Sequence, residues 1–244
     1  MKKINVLFCF LLVSIASFAQ ESDKKEMPEK KNAVKLNLSS LAFSNIALQY
    51  ERAIHPKFSA ALQLRMMPGR TMPGAGQVGD DPFFTSAKLS SFTVTPEFRY
   101  YVRKAMKGFY LAPYARIRSI NFKSMLSVDA GATQPILDLN GKFTSFGGGL
   151  MIGSHFHLSK SLSLDWFIIG GQFMSTKMNF SASGFNFTNA ERDALQSEIN
   201  TLLADTDRFV KNSTVTVTNT SMITKGSFGL PGIRGMGINI GYRF

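Results

Sequence analysis

The sequence predicts an all-β fold, namely an eight-stranded antiparallel up-and-down transmembrane β-barrel with a helical extracellular insertion. Three observations lead to this prediction. Apolar and polar residues alternate with a period of two in eight separate segments, which is typical of strands. The connections between these segments are short at one end and long at the other, and the polar faces carry charges of both signs.

Composition excludes several other classes of protein. The chain has 244 residues, with 44% apolar and 12% aromatic side chains, 18% charged side chains and a net charge of +12. One cysteine cannot form a disulfide scaffold, and this aromatic content is unusual for a disordered chain. Apolar runs of about 20 residues, which a helical membrane bundle requires, do not occur after the N-terminal segment.

The N-terminal segment has the features of a cleaved signal peptide. Residues 1–19 begin with two basic residues, continue with a short apolar core and end on Ser17-Phe18-Ala19, which offers small residues to a signal peptidase. We expect cleavage after Ala19, which removes the single cysteine. Residues 20–33 mix charges of both signs and predict a periplasmic leader, so that residues 34–244 form the barrel.

The eight alternating segments follow this leader. They are residues 34–39, 46–51, 58–66, 92–101, 109–121, 142–158, 163–169 and 237–244. The alternation is less regular in the seventh segment, at Phe167 and Ile169. Periodicity alone leaves the direction of the faces open, because a soluble barrel hides its apolar face and a membrane barrel turns it to lipid.

The lengths of the connections favour the membrane barrel. Three connections are short (55–57, 103–108 and 159–161) and three are long (67–90, 121–141 and 177–232). A further connection near Ser44-Asn45, on the long side, is the exception. Aromatic residues collect near the short turns, where an interfacial girdle belongs; they are Tyr50, Phe58, Phe98, Tyr100, Phe109, Phe156 and Tyr242.

The polar faces predict a network of charges inside the barrel. The predicted lumen charge network consists of Lys35, Glu51, Arg65, Glu97, Arg99, Arg116, Arg118, Asp165 and Arg243. On a soluble barrel the same side chains would be ordinary solvated charges. An eight-stranded interior is only wide enough to be filled by side chains or to hold one small ligand, so we expect a closed lumen.

The C-terminal residues resemble the insertion signal that the barrel assembly machinery recognises in outer-membrane proteins. Ile238, Ile240, Tyr242 and Phe244 alternate with small or polar residues up to the last position. Together with the signal peptide, this pattern predicts that the protein is located in the outer membrane.

The connection 177–232 predicts a helix. Thr188 and Glu191 match a capping box, and apolar residues follow at helical spacing over residues 189–209; they are Leu195, Ile199, Leu202 and Leu203. This apolar stripe either packs on the barrel rim or docks a partner protein. Residues 214–218 then alternate as an extended hairpin leg.

Catalytic and cofactor motifs are weak. His157-Leu158-Ser159 resembles the pair of lipid A deacylating barrels, but all three histidines lie near the short periplasmic turns, whereas lipid A occupies the outer leaflet. Two histidines two residues apart make a poor metal site, and Gly147-Gly148-Gly149 lies inside a strand rather than at the start of a helix. We therefore expect no cofactor, no metal and no catalytic residue.

The basic surplus points to an anionic partner. Nucleic acid is not expected outside the cell, where the polyanion at hand is the phosphate of lipopolysaccharide. Candidate contacts to outer-membrane lipids and lipopolysaccharide are Arg70, Lys88, Lys123, Lys142, Lys177 and Lys225.

Several segments resemble a family of small bacterial outer-membrane barrels of the OmpA-like eight-stranded type, catalogued as a domain of unknown function. They are residues 34–38 (VKLNL), 46–52 (IALQYER), 95–101 (TPEFRYY) and 107–114 (KGFYLAPY), which cover the N-terminal half. The resemblance implies an eight-stranded outer-membrane barrel without an established activity.

These observations predict a non-enzymatic integral outer-membrane barrel with a structural or protein-interaction role. The first alternative is a transport barrel for a small ligand or a narrow channel, and the second is a lipid A-modifying enzyme.

Overall fold

The computed structural model describes residues 28–71, 86–127, 136–206 and 211–244. The predicted signal peptide, most of the predicted leader, and the side chains of Leu202 and Leu203 lie outside the described part. The strands are β1 (Asn32–Asn37), β2 (Ile46–His55), β3 (Phe58–Thr71), β4 (Ser86–Tyr101), β5 (Gly108–Ser127), β6 (Ile136–His157), β7 (Leu162–Ser183), β8 (Lys211–Val217), β9 (Ser221–Arg234) and β10 (Gly237–Arg243). The helices are α1 (Leu38–Ala42) and α2 (Asn189–Thr206). Neither helix has the length and apolar character needed to cross a bilayer.

The strands form one antiparallel sheet in which eight strands close a ring. Neighbours in sequence pair from β1 to β7, and β10 pairs with both β1 and β7, which closes the ring. The all-β antiparallel prediction is therefore confirmed. Two strands were not predicted as part of the wall: β9 continues the line of β10 along the far half of β7, and β8 pairs with the outer edge of β9.

Strands β4 to β7 are much longer than the sequence predicts, and β2 and β3 also continue beyond their predicted ends. β4 begins at Ser86 rather than residue 92, and β5 continues to Ser127 rather than residue 121. β6 begins at Ile136, and β7 runs to Ser183, well beyond the predicted end at residue 169. The prediction of a connection over residues 177–232 is thus wrong at its start, and much of the chain expected in the long connections is strand.

The end of the ring with the short turns, called the lower part here, has polar residues inside and apolar residues outside. On β2, Ala47, Gln49 and Glu51 are buried inside, whereas Leu48 and Tyr50 are 51% and 43% exposed on the outer surface. The same alternation runs around the ring, because cross-strand partners share a face. Exposed outward residues include Leu62, Leu64, Phe98, Phe109, Ile117, Leu150 and Ile240.

In the far, upper part the two faces exchange polarity. On β6 the outward positions change from Phe146 to Thr144 and Lys142, while the apolar Phe143 turns inward. The neighbouring strands do the same at corresponding registers. The apolar residues that turn inward there are Met67, Leu89, Ile120, Phe122, Leu139, Met174, Met178, Phe180 and Phe228. The exchange explains why the sequence pattern of the lower part does not predict the upper strands.

Three glycines make room for aromatic rings inside the lower part. Gly153 lies directly opposite Tyr110, Gly149 opposite Tyr114, and Gly237 opposite Phe167. A Cβ atom on Gly153 would stand 2.4 Å from the Tyr110 hydroxyl, and one on Gly237 would stand 2.2 Å from the Phe167 ring. The rings therefore lie flat across the neighbouring strand, where a side chain would otherwise be.

Helix α2 starts at the predicted capping box and packs beside β8. The Thr188 N–H and hydroxyl donate to the Glu191 carboxylate at 2.8 and 2.7 Å, and these bonds lower the pKa of Glu191. The Gln196 side chain then donates to the Val215 carbonyl and accepts from the Val217 N–H. Gln196 thus satisfies part of the free edge of β8, which would otherwise be open to pairing.

The glycine positions lead to a test of this packing. Gly153→Ala should lower the free energy of unfolding by about 1–3 kcal/mol, because the new methyl group displaces the buried Tyr110 ring. Gly171→Ala is the matched control on the adjacent strand, where a Cβ meets nothing within 4 Å. Denaturant unfolding of the two variants in detergent checks this, and equal midpoints would contradict the close packing of Tyr110 on Gly153.

Candidate functional site

Six charged side chains from five strands meet in the interior of the lower ring, and we call them the central charge cluster. The cations are Lys35 of β1, Arg99 of β4 and Arg234 of β9, and the anions are Glu51 of β2, Glu97 of β4 and Asp165 of β7. Each of the six has 5% of its surface exposed or less. Three positive and three negative groups make the cluster neutral.

Direct ion pairs join the cluster across the ring. The Lys35 ammonium contacts Glu51 and lies 2.5 Å from Asp165 Oδ2. Arg99 donates to Asp165 at 2.7 Å, to Glu51 at 3.1 Å and to Glu97 at 2.6 Å. Because each charge has a partner of opposite sign, the desolvation cost of burying it is offset.

Glu97 extends the cluster to β9. Its Oε1 atom accepts a hydrogen bond of 3.0 Å from Arg234, whose other terminal nitrogen donates to Gln63 at 3.1 Å. Its Oε2 atom accepts from Arg99 and, at 3.0 Å, from Gln49. Glu97 therefore carries two guanidinium partners.

Neutral donors complete the shell around the other two carboxylates. Tyr101 and Ser59 donate to Glu51 Oε1 at 2.6 and 2.5 Å, and Tyr110 donates to Asp165 Oδ1 at 2.8 Å. Arginine stacks on the aromatic rings as well, since the Arg99 guanidinium lies 4.5 Å from the Tyr110 ring centroid. Such cation–π contacts add to the ion pairs.

Two carboxylates of the cluster and a neighbouring histidine have the donor atoms of a metal site. One ligand atom each from Glu51, His155 and Asp165 lie within 4.8 Å of one another. The Lys35 ammonium, however, contacts both carboxylates and stands 3.5 Å from His155 Nδ1. This ammonium already supplies the positive charge that the three groups would offer a metal, so the residues fit an internal ion pair better than a bound cation.

The structure separates the nine residues of the predicted lumen charge network into three groups. Five of them, Lys35, Glu51, Glu97, Arg99 and Asp165, belong to the central charge cluster. A second group lies higher inside the ring, on β3 and β5; its members are Arg65, Arg116 and Arg118. Arg243 stands alone at the lower rim.

Arg243 corrects the prediction. Its guanidinium donates to the carbonyls of Ser159 and Lys160 at 2.9 and 3.0 Å, in the turn between β6 and β7. The residue lies at the end of β10, opposite Ala33, and its guanidinium bonds to this turn rather than to a carboxylate of the cluster. Its role is to close a turn.

Sequence reasoning missed Arg234 because the alternation of inward and outward residues is interrupted just after it. Gly235 and Met236 are consecutive exposed residues between β9 and β10, and this irregularity puts even-numbered residues inside before it and odd-numbered ones after it. An uninterrupted alternation would put Arg234 on the same face as the outward Ile238, four residues later. The other missed partners are Gln49, Gln63, Tyr101, Tyr110 and His155, which are uncharged and so gave no signal of their own.

The histidine and serine of the lipid A-type motif are engaged elsewhere. His157 Nε2 lies 2.7 Å from the Met106 carbonyl oxygen. The Ser159 hydroxyl oxygen accepts from the N–H groups of Ser161 and Leu162. Both side chains thus take part in turns at the lower rim.

The candidate docking residues are only partly described. Leu195 and Ile199 of α2 are half-buried on the side of the insertion, and most other residues along the helix are exposed and polar. The C-terminal residues Ile238, Ile240, Tyr242 and Phe244 all point outward from the ring, with 37–55% of their surface exposed.

Comparison with known protein families gives a match. The model of a family described as "Protein of unknown function (DUF3575)" matches residues 5–199, which is more than half of the chain. No curated protein and no solved structure matches it.

Removing one carboxylate should destabilise the protein, because the charges of the cluster balance one another. Glu97→Ala should lower the free energy of unfolding by about 3–5 kcal/mol, since it leaves Arg99 and Arg234 with an uncompensated positive charge. Heat-induced unfolding on gels and denaturant titration both measure this. Glu198→Ala, on the exposed surface of α2, is the control for removing a glutamate, and a Glu97→Ala protein as stable as this control would contradict the role of the ion pairs.

Proposed function

The chain belongs to the DUF3575 family of proteins of unknown function, and we propose that it is a non-enzymatic integral outer-membrane β-barrel with a structural or protein-interaction role. In this proposal the eight-stranded ring spans the membrane. The central charge cluster closes the lumen, and helix α2 with the adjoining upper part of the β8–β9 hairpin projects outside the cell.

The single observation that carries the proposal is the exchange of polarity along the same strands. A protein surrounded only by water would keep its apolar face inside throughout. Here the outer face is apolar in the lower part and polar in the upper part, while the inner face does the opposite. Two different solvents outside one wall explain this pattern, hydrocarbon below and water above.

The height of the apolar belt supports the proposal. On β6 the belt is bounded by Phe156 at the short-turn end and Phe146 at the upper end. Ten residue steps correspond to about 34 Å along the strand, or about 25 Å along the barrel axis at a tilt of about 40–45°. This height is that of the apolar band of outer-membrane barrels. Phe92 and Phe173 lie at the same upper boundary as Phe146 and would form an upper aromatic girdle.

Outward lysines just above the belt support contact with lipopolysaccharide. Lys88 and Lys123 are direct cross-strand neighbours, although like charges at such positions are destabilising. Lys142, Lys177 and Lys225 follow on the next strands, all exposed. Phosphate groups of the outer leaflet would offset this repulsion.

The closed interior argues against a general transport barrel. Side chains from opposite walls meet at the level of Arg99, and eight strands leave no room for a channel beside them. A lipid A-modifying enzyme is also disfavoured, because His157 and Ser159 bond to turns at the end of the barrel away from the outer leaflet.

An interaction role would rest on the part beyond the belt. Helix α2 and the β8–β9 hairpin form a unit tied together by Gln196, and its polar outer surface is that of a segment in water. We place any protein partner there, and we take the signal peptide and the C-terminal residues as the export and insertion signals.

Lysine substitutions at two depths on β6 test the placement in the membrane. Leu150→Lys, in the middle of the belt, should lower the free energy of unfolding in lipid vesicles by about 2–4 kcal/mol, because a charge there faces hydrocarbon. Thr144→Lys, on the same strand and face but above the belt, should cost at most about 1 kcal/mol.

The comparison is read by denaturant titration of the two proteins folded into vesicles. Equal stability of the two variants, or a wild-type chain that stays soluble and folded without detergent or lipid, would contradict the membrane barrel.

A further inference from the structure

Three arginines above the central charge cluster have no acidic partner among the residues that the structure describes. Arg65 and Arg118 flank Thr93 in one row of the sheet, which puts their Cα atoms about 10 Å apart. Arg116 lies one position lower on the same face as Arg118. These guanidinium groups, together with Arg234, lie close enough to repel one another. We call Arg65, Arg116 and Arg118 the arginine tier.

The charges of the arginine tier are not balanced within the described residues. Arg116 bonds to neutral groups only, Thr95 at 3.4 Å and Gln172 at 3.0 Å, although only 5% of its surface is exposed. Arg65 and Arg118 have no hydrogen-bond acceptor in the described part of the chain. Glu97 is the highest described carboxylate inside the ring, and it is already bonded to Arg99 and Arg234.

Several inward side chains at this tier are less covered than those below it. Below it, inward side chains such as Arg99 and Tyr110 are fully covered. At and above it, the inward residues Arg65, Arg118 and Met178 are partly exposed to solvent. The space above the neutral cluster, which these partly exposed side chains face, is called the vestibule here.

The vestibule walls near and above the arginine tier are rich in apolar side chains. Flexible methionines and flat aromatic rings face one another there, and such side chains adapt to an acyl chain. The wall residues are Met67, Ile120, Phe122, Phe143, Met174, Met178, Phe180 and Phe228.

We propose that this vestibule binds one amphiphilic anion, with a carboxylate or phosphate headgroup on the arginine tier and a single acyl chain against the apolar wall. Guanidinium groups bond to carboxylates and phosphates through paired N–H donors, and Arg65 and Arg118 have such donors for which the described part of the chain offers no acceptor. An eight-stranded interior accommodates one small ligand rather than several chains. Because the central charge cluster closes the lumen below the site, the ligand enters and leaves from the upper end of the ring.

This inference does not depend on where the barrel is located, since it rests on the inner face alone. Stability measurements can distinguish arginines that bind a ligand from arginines that hold the fold. If the three arginines served only to hold the fold, removing one would destabilise the protein. As binding groups without an acidic partner among the described residues, Arg65 and Arg118 should cost no stability when one of them is removed from the empty protein.

The experiment uses the full mature chain in nanodiscs of uncharged lipid, titrated with palmitate labelled with ¹³C at the carboxyl carbon. A saturable resonance distinct from that of lipid-dissolved palmitate is expected. Arg118→Gln and Arg116→Gln should each raise the dissociation constant about tenfold or more. Arg52→Gln, which removes an outward arginine at the lower rim, should leave it unchanged.

Competition identifies the headgroup and the need for a chain. Displacement by palmitate or by a lysophosphatidic acid of equal chain length supports the site, and the stronger competitor reveals which headgroup it prefers. Methyl palmitate and inorganic phosphate should displace at least tenfold less well, because each lacks one of the two parts of the ligand.

Three results would overturn the proposal. They are the absence of a saturable resonance, equal affinity of wild type and Arg118→Gln, and equal displacement by inorganic phosphate. A melting temperature of ligand-free Arg118→Gln well below that of Arg52→Gln would assign the arginine to the fold instead.

Discussion

Compensation of charge inside the lower ring is the constraint on which the rest of the structure depends. A charged side chain that points into a filled interior has no water to solvate it, so its position is tolerable only if an opposite charge reaches the same point. Lys35 meets Asp165 across 130 residues of sequence, and Arg234 meets Glu97 across 137. These pairs connect strands that are not neighbours in the sheet. The ring is therefore held by cross-connections as well as by its ladder of backbone hydrogen bonds.

Glycine and aromatic residues provide the support for these charges. The inward glycines Gly153, Gly149 and Gly237 each lie opposite an aromatic ring, and a guanidinium stacks on each ring. Tyr110 lies under Arg99, and the Phe167 ring lies 4.8 Å from the Arg234 guanidinium. Tyr114, over Gly149, lies 4.9 Å from the same Arg234 and 5.3 Å from Arg116. A side chain in place of the glycine would lift the ring and with it the arginine. Small residues on β6 and β10 thus set the height at which the cations stand.

The polarity of the two faces connects this packing to the proposed roles. In the lower part, an apolar exterior requires that polar side chains go inside, and there they must balance. In the upper part, lysines and asparagines cover the outside, and the inner face is free to be apolar. The arginine tier lies at the transition, above the last described inward carboxylate and below the methionines and aromatic rings. The neutral cluster and the unbalanced tier above it are consistent with a barrel that is closed to passage and still open to a ligand from one side.

The sequence by itself determined the all-β fold, the ring of eight strands, the start of α2 and five members of the cluster. These features are local, since a period of two or a capping box is visible within a few residues. Tertiary structure alone decided that Arg243 closes a turn. It also decided that Arg234 lies inside the ring, although the alternation of the sequence predicts an outward position. It also decided which uncharged residues complete the shell and where the strands exchange polarity. The physical reason is that a strand pattern records which side chains share a face. The partner that a buried charge meets depends on the closure of the ring, on register and on irregularities such as the one at Gly235 and Met236.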